Sequence, residues 1–296
     1  MKKYITLLLI FLAFPFLALA QEDDSTTEEV QEEVVDKPER PAFESSFIVD
    51  NPTDVLFQKN TMEVQMNHRF GTINFDENDM AGIWGASNIR LGLSYAILDW
   101  LTVGYGTTKN QRLQDFDLKV GILKQTRSGK IPVNVTYYGN FVYNALKQKN
   151  PGDYFNYDQD RYSYFHQIII SRRFSPNFSM QVAPSISHFN LVEEGMENDR
   201  FAIAFGARYK ISPQTSILVD YSQPITQFDN VTDEGNYSNH PGLSLGFEFA
   251  TSAHAFQIFV SNLHGIVPQQ NYMWNTNDFF NGDILLGFNI TRVYNF

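Results

Sequence analysis

From Thr61 onward, apolar and polar residues alternate with a period of two, segment after segment. Met62, Val64, Met66, His68 and Phe70 share one face, while Glu63, Gln65, Asn67 and Arg69 share the other. The same rhythm runs through segments that begin near Ile89, Leu101, Asp115, Ile131, Tyr162, Phe178, Phe201, Ser216, Leu243, Phe256 and Ile284. Alternation of this kind predicts a strand with one oily and one wet face. In the sixth segment Phe165 and Ile169 are apolar as well as Tyr162, Tyr164, Ile168 and Ile170, which leaves its phase open.

The connections decide what the oily face touches. They are long at 71–87, 144–160, 223–240 and 264–282, and short at 98–99, 173–176, 211–213 and 251–253. Long outer loops opposed to tight periplasmic turns mark an outer-membrane barrel rather than a soluble sandwich. A closed barrel is the β structure that spans a bilayer, because closure leaves no unpaired backbone donor in hydrocarbon. The expectation is an all-β chain: a transmembrane antiparallel up-and-down β-barrel of about twelve strands. An even strand number puts both ends on one side, so both termini are expected in the periplasm. Trp100, Tyr105, Tyr143, Tyr162, Tyr164, Tyr209 and Tyr221 lie near strand ends, where interface girdles form.

Composition changes this picture little. Mean hydropathy is slightly below zero, yet barrel strands carry apolar residues only at every second position. After Ala20 there is no run of ~18 apolar residues that would make a helical span. Residues 1–20 read as a secretory signal peptide: Lys2 and Lys3, an apolar run to Leu19, then Ala18-Leu19-Ala20. The chain has no cysteine, so an exported form must be held by its sheet rather than by disulfides. Residues 21–40 hold nine acidic residues against Lys37 and Arg40, and read as a disordered linker. Residues 41–60 are less polar. Phe47, Val49, Val55, Leu56 and Phe57 need burial, either across the periplasmic mouth or as a plug in the lumen. The net charge of −11 leaves no basic stripe for nucleic acid.

Candidate chemistry follows from the polar faces. They put Glu63, Arg69, Arg90, Asp115, Asp117, Lys119, Asp220 and Glu248 inside the barrel. Asp115 and Asp117 are two apart on one strand, about 7 Å. These charges either set ionic selectivity along an aqueous path or pair as struts in a narrow lumen. The strand histidines His166 and His188 have no nucleophile motif beside them, so no catalytic residue is assigned. The loop carboxylates Asp76, Glu77, Asp79, Asp153, Asp158, Asp160, Glu193, Glu194, Glu197, Asp199, Asp229, Asp233 and Glu234 match no calcium-loop spacing. No metal or cofactor is expected. The loop aromatics Tyr154, Phe155, Tyr157, Tyr272, Trp274, Phe279 and Phe280 suit loop packing, a pore lid or sugar stacking.

The chain ends in an aromatic strand, with Tyr294 and Phe296. That ending resembles the signal read by the outer-membrane barrel assembly machinery, with Arg292 interrupting it. Arg40-Pro41-Ala42-Phe43-Glu44-Ser45-Ser46, Asn67-His68-Arg69-Phe70-Gly71, Ser87-Asn88-Ile89-Arg90, Gly104-Tyr105-Gly106-Thr107-Thr108-Lys109, Gln125-Thr126-Arg127-Ser128-Gly129-Lys130 and Val135-Thr136-Tyr137-Tyr138-Gly139 carry a wider resemblance. They resemble an uncharacterised family of outer-membrane barrels of the Bacteroidota. The resemblance implies a barrel and an outer-membrane address, and no activity. The expected role is a small channel for small polar solutes, or a structural barrel, with membrane lipid and the assembly machinery as partners. The alternative is a surface-recognition barrel acting through its acidic, aromatic loops, with a lipid-modifying enzyme behind both.

Overall fold

The computed structural model describes residues 36–73, 79–150, 152–228, 231–232, 235–236 and 239–296. The expected signal peptide, most of the expected linker, and Asp76, Glu77, Asp229, Asp233 and Glu234 lie outside the described residues.

A small hairpin comes first, β1 (Phe47–Ile48) with β2 (Asn51–Pro52). The wall then runs through β3 (Thr61–Thr72), β4 (Asn88–Leu98), β5 (Leu101–Thr108), β6 (Leu113–Leu123), β7 (Asn134–Asn144) and β8 (Tyr162–Arg173). It continues with β9 (Phe178–Phe189), β10 (Asp199–Lys210) and β11 (Thr215–Pro224). A two-stranded pair in the following connection, β12 (Val231–Thr232) with β13 (Gly235–Asn236), stands apart from the wall. The wall resumes with β14 (Gly242–Ala250) and β15 (His254–Ser261) and ends with β16 (Leu285–Asn295). One helix, α1 (Pro268–Trp274), lies between β15 and β16.

The twelve wall strands form a closed barrel, each antiparallel to the next in the chain. The seam is β16 on β3, running from Leu285 opposite Thr72 to Asn295 opposite Thr61. Both ends of the wall therefore lie at one rim. That rim also carries the tight connections 99–100, 174–177, 211–214 and 251–253; the opposite rim carries the long ones at 145–161, 225–241 and 262–284.

Alternation becomes two surfaces. Leu91, Leu93, Phe116, Ile122, Phe247 and Ile258 stand exposed on the outside, while Gln65, Arg90, Gln167, Asp220, Ser244 and Gln257 are buried inside. Exposed aliphatic and aromatic side chains all round a wall are costly in water, at about 25 cal/mol per Å² of apolar surface. They are at home against acyl chains, so the wall is that of a membrane-spanning barrel.

Two details differ from the sequence pattern. The fifth segment becomes a strand only at Asn134, not Ile131. Pro132 has no N–H for a ladder, and Thr126 instead closes a turn by donating its N–H to the Ile131 carbonyl at 2.9 Å. The linker also ends early: Pro38 bridges Thr126, and Glu39 donates its N–H to the Gln125 carbonyl at 2.7 Å. Residues 36–40 thus run along the connection between β6 and β7.

Candidate functional site

Among the described residues, two stretches of the chain fill the lumen. The first is the N-terminal segment, folded by the β1–β2 hairpin. Its apolar residues Ala42, Phe43, Ile48, Val49 and Val55 are buried with two wall residues, Leu218 and Phe259. Gly206 makes room for it: a Cβ there would stand 3.1 Å from the Ile48 side chain.

The hairpin tip is held by charge. Val49 sits at φ 53°, in the left-handed region that a β-branched residue adopts only under constraint. Its carbonyl accepts from Asn289 Nδ2 at 2.8 Å, and its N–H donates to Gln257 Oε1 at 3.3 Å. Asp50 pairs with Arg69 Nη2 at 2.8 Å, and both side chains are buried. Asp220 accepts the N–H groups of Asp50 and Asn51 at 2.9 and 3.1 Å, and Asn51 Nδ2 at 2.7 Å. The Arg69 guanidinium also lies 4.5 Å from the Phe259 ring centroid. Lower on the segment, Ser46 Oγ donates to Glu63 at 2.7 Å, and Lys119 Nζ donates to the Ser46 and Val55 carbonyls at 3.1 and 3.3 Å. Glu44 meets Arg208 at 3.1 Å, which also holds Glu248 at 3.1 Å. Burial pushes the Asp54 carboxyl of this segment above its ordinary range.

The second stretch is the connection 262–284. Proline at the start of α1 suits the first helical turn, and the helix buries Gln269, Tyr272 and Met273. Tyr272 stacks on Phe165 at 5.4 Å between centroids, beside Tyr138, Ile169, Ala183, Ala202 and Ala204. Gln269 Nε2 donates to Asn140 Oδ1 at 2.9 Å, and Val267 packs on Leu113 and Val142. Phe165 and Ile169 face inward because this connection supplies them with an apolar partner.

The two inserts meet where the Tyr272 hydroxyl donates to Asn51 Oδ1. Between them, bounded by Phe47, Asp50, Val267 and Pro268, a void of about 10 Å³ remains, roughly one water. Larger spaces lie at the two ends and share no lining residue with it. One of about 970 Å³ opens among the long connections, and one of about 340 Å³ opens at the turn rim.

Of the eight lumen charges, Glu63, Arg69, Lys119 and Asp220 hold the N-terminal segment directly, and Glu248 holds it through Arg208. Arg90 forks onto Asp115 at 2.6 and 2.9 Å and reaches Asp117 at 3.8 Å. Asp50, Glu44 and Arg208 belong to this network and escaped the sequence reading. Arg208 lies on a polar face and was legible there; Asp50 and Glu44 lie in a segment without periodicity. Tyr294 and Phe296 close the β16 end at the turn rim, where Phe296 donates its N–H to the Asn60 carbonyl at 3.2 Å. Arg292 stands outside on the same strand, over the Tyr294 ring at 4.8 Å.

Residues 43–294 match the family described as "Membrane bound beta barrel domain (DUF5777)". The chain belongs to that family. The match takes in the N-terminal insert as well as the wall of this membrane-bound barrel. Among curated proteins, none matches the chain in sequence. Among solved structures, the NanC porin is similar with a TM-score of 0.50 at 8% identity, over 79% of this chain and 99% of the porin. An outer-membrane channel from Pseudomonas putida F1 is similar with a TM-score of 0.51 at 12% identity, over 81% and 97%. At such identities the likeness speaks for the fold, which is that of outer-membrane barrels.

Histidine and acidic residues outside the lumen have local duties. His166 Nδ1 lies 2.7 Å from the Tyr137 hydroxyl on the outer face. His188 lies 2.8 Å from Asp199 and 3.0 Å from Asn190. Asp153 and Asp160 accept backbone N–H groups of their own loop. Among the described residues no cluster of His, Cys, Asp or Glu has the arrangement of a metal site.

Proposed function

We propose that this protein is an outer-membrane channel for small polar solutes, closed by its two inserts and opened when residues 42–57 withdraw. The observation that carries the reading is how the N-terminal insert is attached. It runs into the wall at β3, and residues 37–39 before it make backbone contacts with the β6–β7 connection. Between these ends it is held by side-chain hydrogen bonds, ion pairs and apolar packing on Leu218 and Phe259. Residues 42–57 can therefore leave without breaking a ladder of the wall. The wall it would uncover is polar: Gln65, Gln181, Ser244, Gln257 and Asn289 are buried there. In this reading the turn rim and both termini face the periplasm, and solute arrives at the long-connection rim. Export through residues 1–20, assembly through Tyr294 and Phe296 and a Bacteroidota origin accord with it.

Planar-bilayer recording tests it. Refolded full-length protein is expected to be mostly silent, and protein lacking residues 41–57 to show stable conductance. Equal conductance of the two ends the reading. A second reading, surface recognition, is favoured by the aromatic residues left bare on the long connections: Trp84, Tyr154, Tyr157 and Phe280, the last 86% exposed. That role predicts that both proteins stay silent.

A further inference from the structure

We infer that the 970 Å³ depression on the long-connection rim is a binding site for a small neutral saccharide. As the solute of a channel this ligand rests on the function proposed above; as a bound ligand it stands alone. The volume lies at the upper end of the range for ligand pockets, about 300–1,000 Å³.

The walls carry amides. Thr72 and Asn110 line one side, and Gln270, Asn271, Asn275 and Asn277 of the folded-in connection line the other. A sugar hydroxyl donates once and accepts, and a primary amide offers two donors beside an acceptor oxygen, so the two chemistries match group for group. Two of these amides are unfinished. Asn271 is 7% exposed and its Nδ2 has no hydrogen-bond partner, while Gln270 Oε1, one residue earlier, is likewise unpartnered. An unpartnered buried donor and an unpartnered buried acceptor on consecutive residues of one helical turn leave two hydrogen bonds that ligand hydroxyls can complete. A Cβ at Gly265 would overlap the Asn271 side-chain oxygen, so glycine is what lets that amide lie there. Trp274, half-buried, adds an aromatic surface to the same wall, suited to the apolar C–H face of a pyranose.

Charge narrows the class. Among the described lining residues there is no lysine or arginine, and there are two carboxylates, Asp79 and Asp283. His264 holds its Nε2 3.1 Å from the Ala86 carbonyl. An anionic sugar or a phosphate would find no lysine or arginine among the described lining residues to pair with. Gln270, Asn271 and Trp274 sit on the helix whose Tyr272 touches Asn51, so the ligand would bind one helical turn from the plug.

The test is equilibrium binding to refolded full-length protein in which Trp84 and Trp100 are replaced by Phe, read through Trp274 fluorescence. The probes are maltotriose, cellotriose, laminaritriose and xylotriose, with trigalacturonate as the anionic counterpart. At least one neutral trisaccharide is expected to bind, with trigalacturonate at least tenfold weaker. Asn271→Ala and, separately, Gln270→Ala are expected to weaken that binding about tenfold, with the heat-modifiable gel shift of a folded barrel retained. The inference is overturned if no neutral trisaccharide binds at about 10 mM, if trigalacturonate binds equally well, or if neither substitution matters. Binding without conductance, even after deletion of 41–57, would keep the site and remove the channel; conductance without binding would do the reverse.

Discussion

Both inserts pack apolar residues on the wall, but among the described residues the N-terminal one adds buried ion pairs. The N-terminal segment is fixed at its tip by charge: Asp50 on Arg69, and two backbone N–H groups on Asp220. The folded-in connection is fixed by apolar packing, with Tyr272 on Phe165 and Val267 on Leu113 and Val142, plus a few amide bonds. The first continues into the wall at one end and is held at the other by backbone contacts of residues 37–39 with the β6–β7 connection; the second continues into the wall at both. Buried ion pairs contribute little net stability but are costly to break singly, whereas apolar packing scales with area and carries no such asymmetry. A tip whose charges are stranded when one partner is lost should respond more sharply to a single substitution than a packed loop does.

The contrast can be broken at either insert. Because the chain lacks cysteine, Ser45→Cys, at a buried position on the N-terminal segment, gives a single thiol whose alkylation reports withdrawal. The largest effect is expected from Arg69→Met, which strands Asp50 beside Asp220 at a cost of about 3–5 kcal/mol. The thiol should then react freely while β16 and β3 stay protected from hydrogen exchange. A thiol as slow as in the parent would show that charge does not hold the tip. Next, Phe165→Ala removes the stacking surface of Tyr272, at about 3 kcal/mol. Exchange in 262–284 should rise first, with Ser45→Cys little changed; equal loosening of both inserts would mean they form one unit.

Tyr272→Phe is smaller, about 1 kcal/mol, and leaves Asn51 Oδ1 without its donor. Both reporters should rise modestly together, since this hydroxyl is where the inserts meet; no change at either would deny that they are coupled. Smallest is the response at Asp54. Docked, its buried carboxyl keeps a proton to higher pH than the free segment would, so its contribution to docking falls as pH rises above the ordinary carboxylate range. Asp54→Asn should slow alkylation of the reporter at pH 7 and have little effect near pH 4, and a larger effect at the acidic end would reverse the assigned sign.

The wall was legible because period-two alternation is forced on any strand that separates oil from water. Met62 to Phe70 and Ile89 to Ile97 needed nothing else. The inserts were not, because their contacts are between segments far apart in sequence and follow no period. Asp50 reaches Asp220 and Ser244, and Tyr272 reaches Phe165. Yet they left a trace. Tyr138, Val142, Phe165, Ile169, Leu218 and Phe259 are buried apolar residues on the wet side of the wall, and each one packs against an insert. Apolar breaks on the polar face of a barrel strand mark where something fills the lumen. Parity alone was enough to read the wall charges as lumen-facing. Their pairing with the N-terminal insert was hidden, because Asp50 and Glu44 lie on a stretch that parity cannot read.

The seam has a consequence for how the molecule comes to exist. Thr61 lies opposite Asn295, so the ring closes only when nearly the whole chain is present, and this pairing of highest sequence separation is the last to be rewarded. Contact order this high makes spontaneous closure slow, and until it happens two strand edges lie open to pairing with other chains. A nascent copy therefore spends its most vulnerable interval as an open sheet, and truncation by even the final strand should yield an aggregating intermediate rather than a smaller barrel.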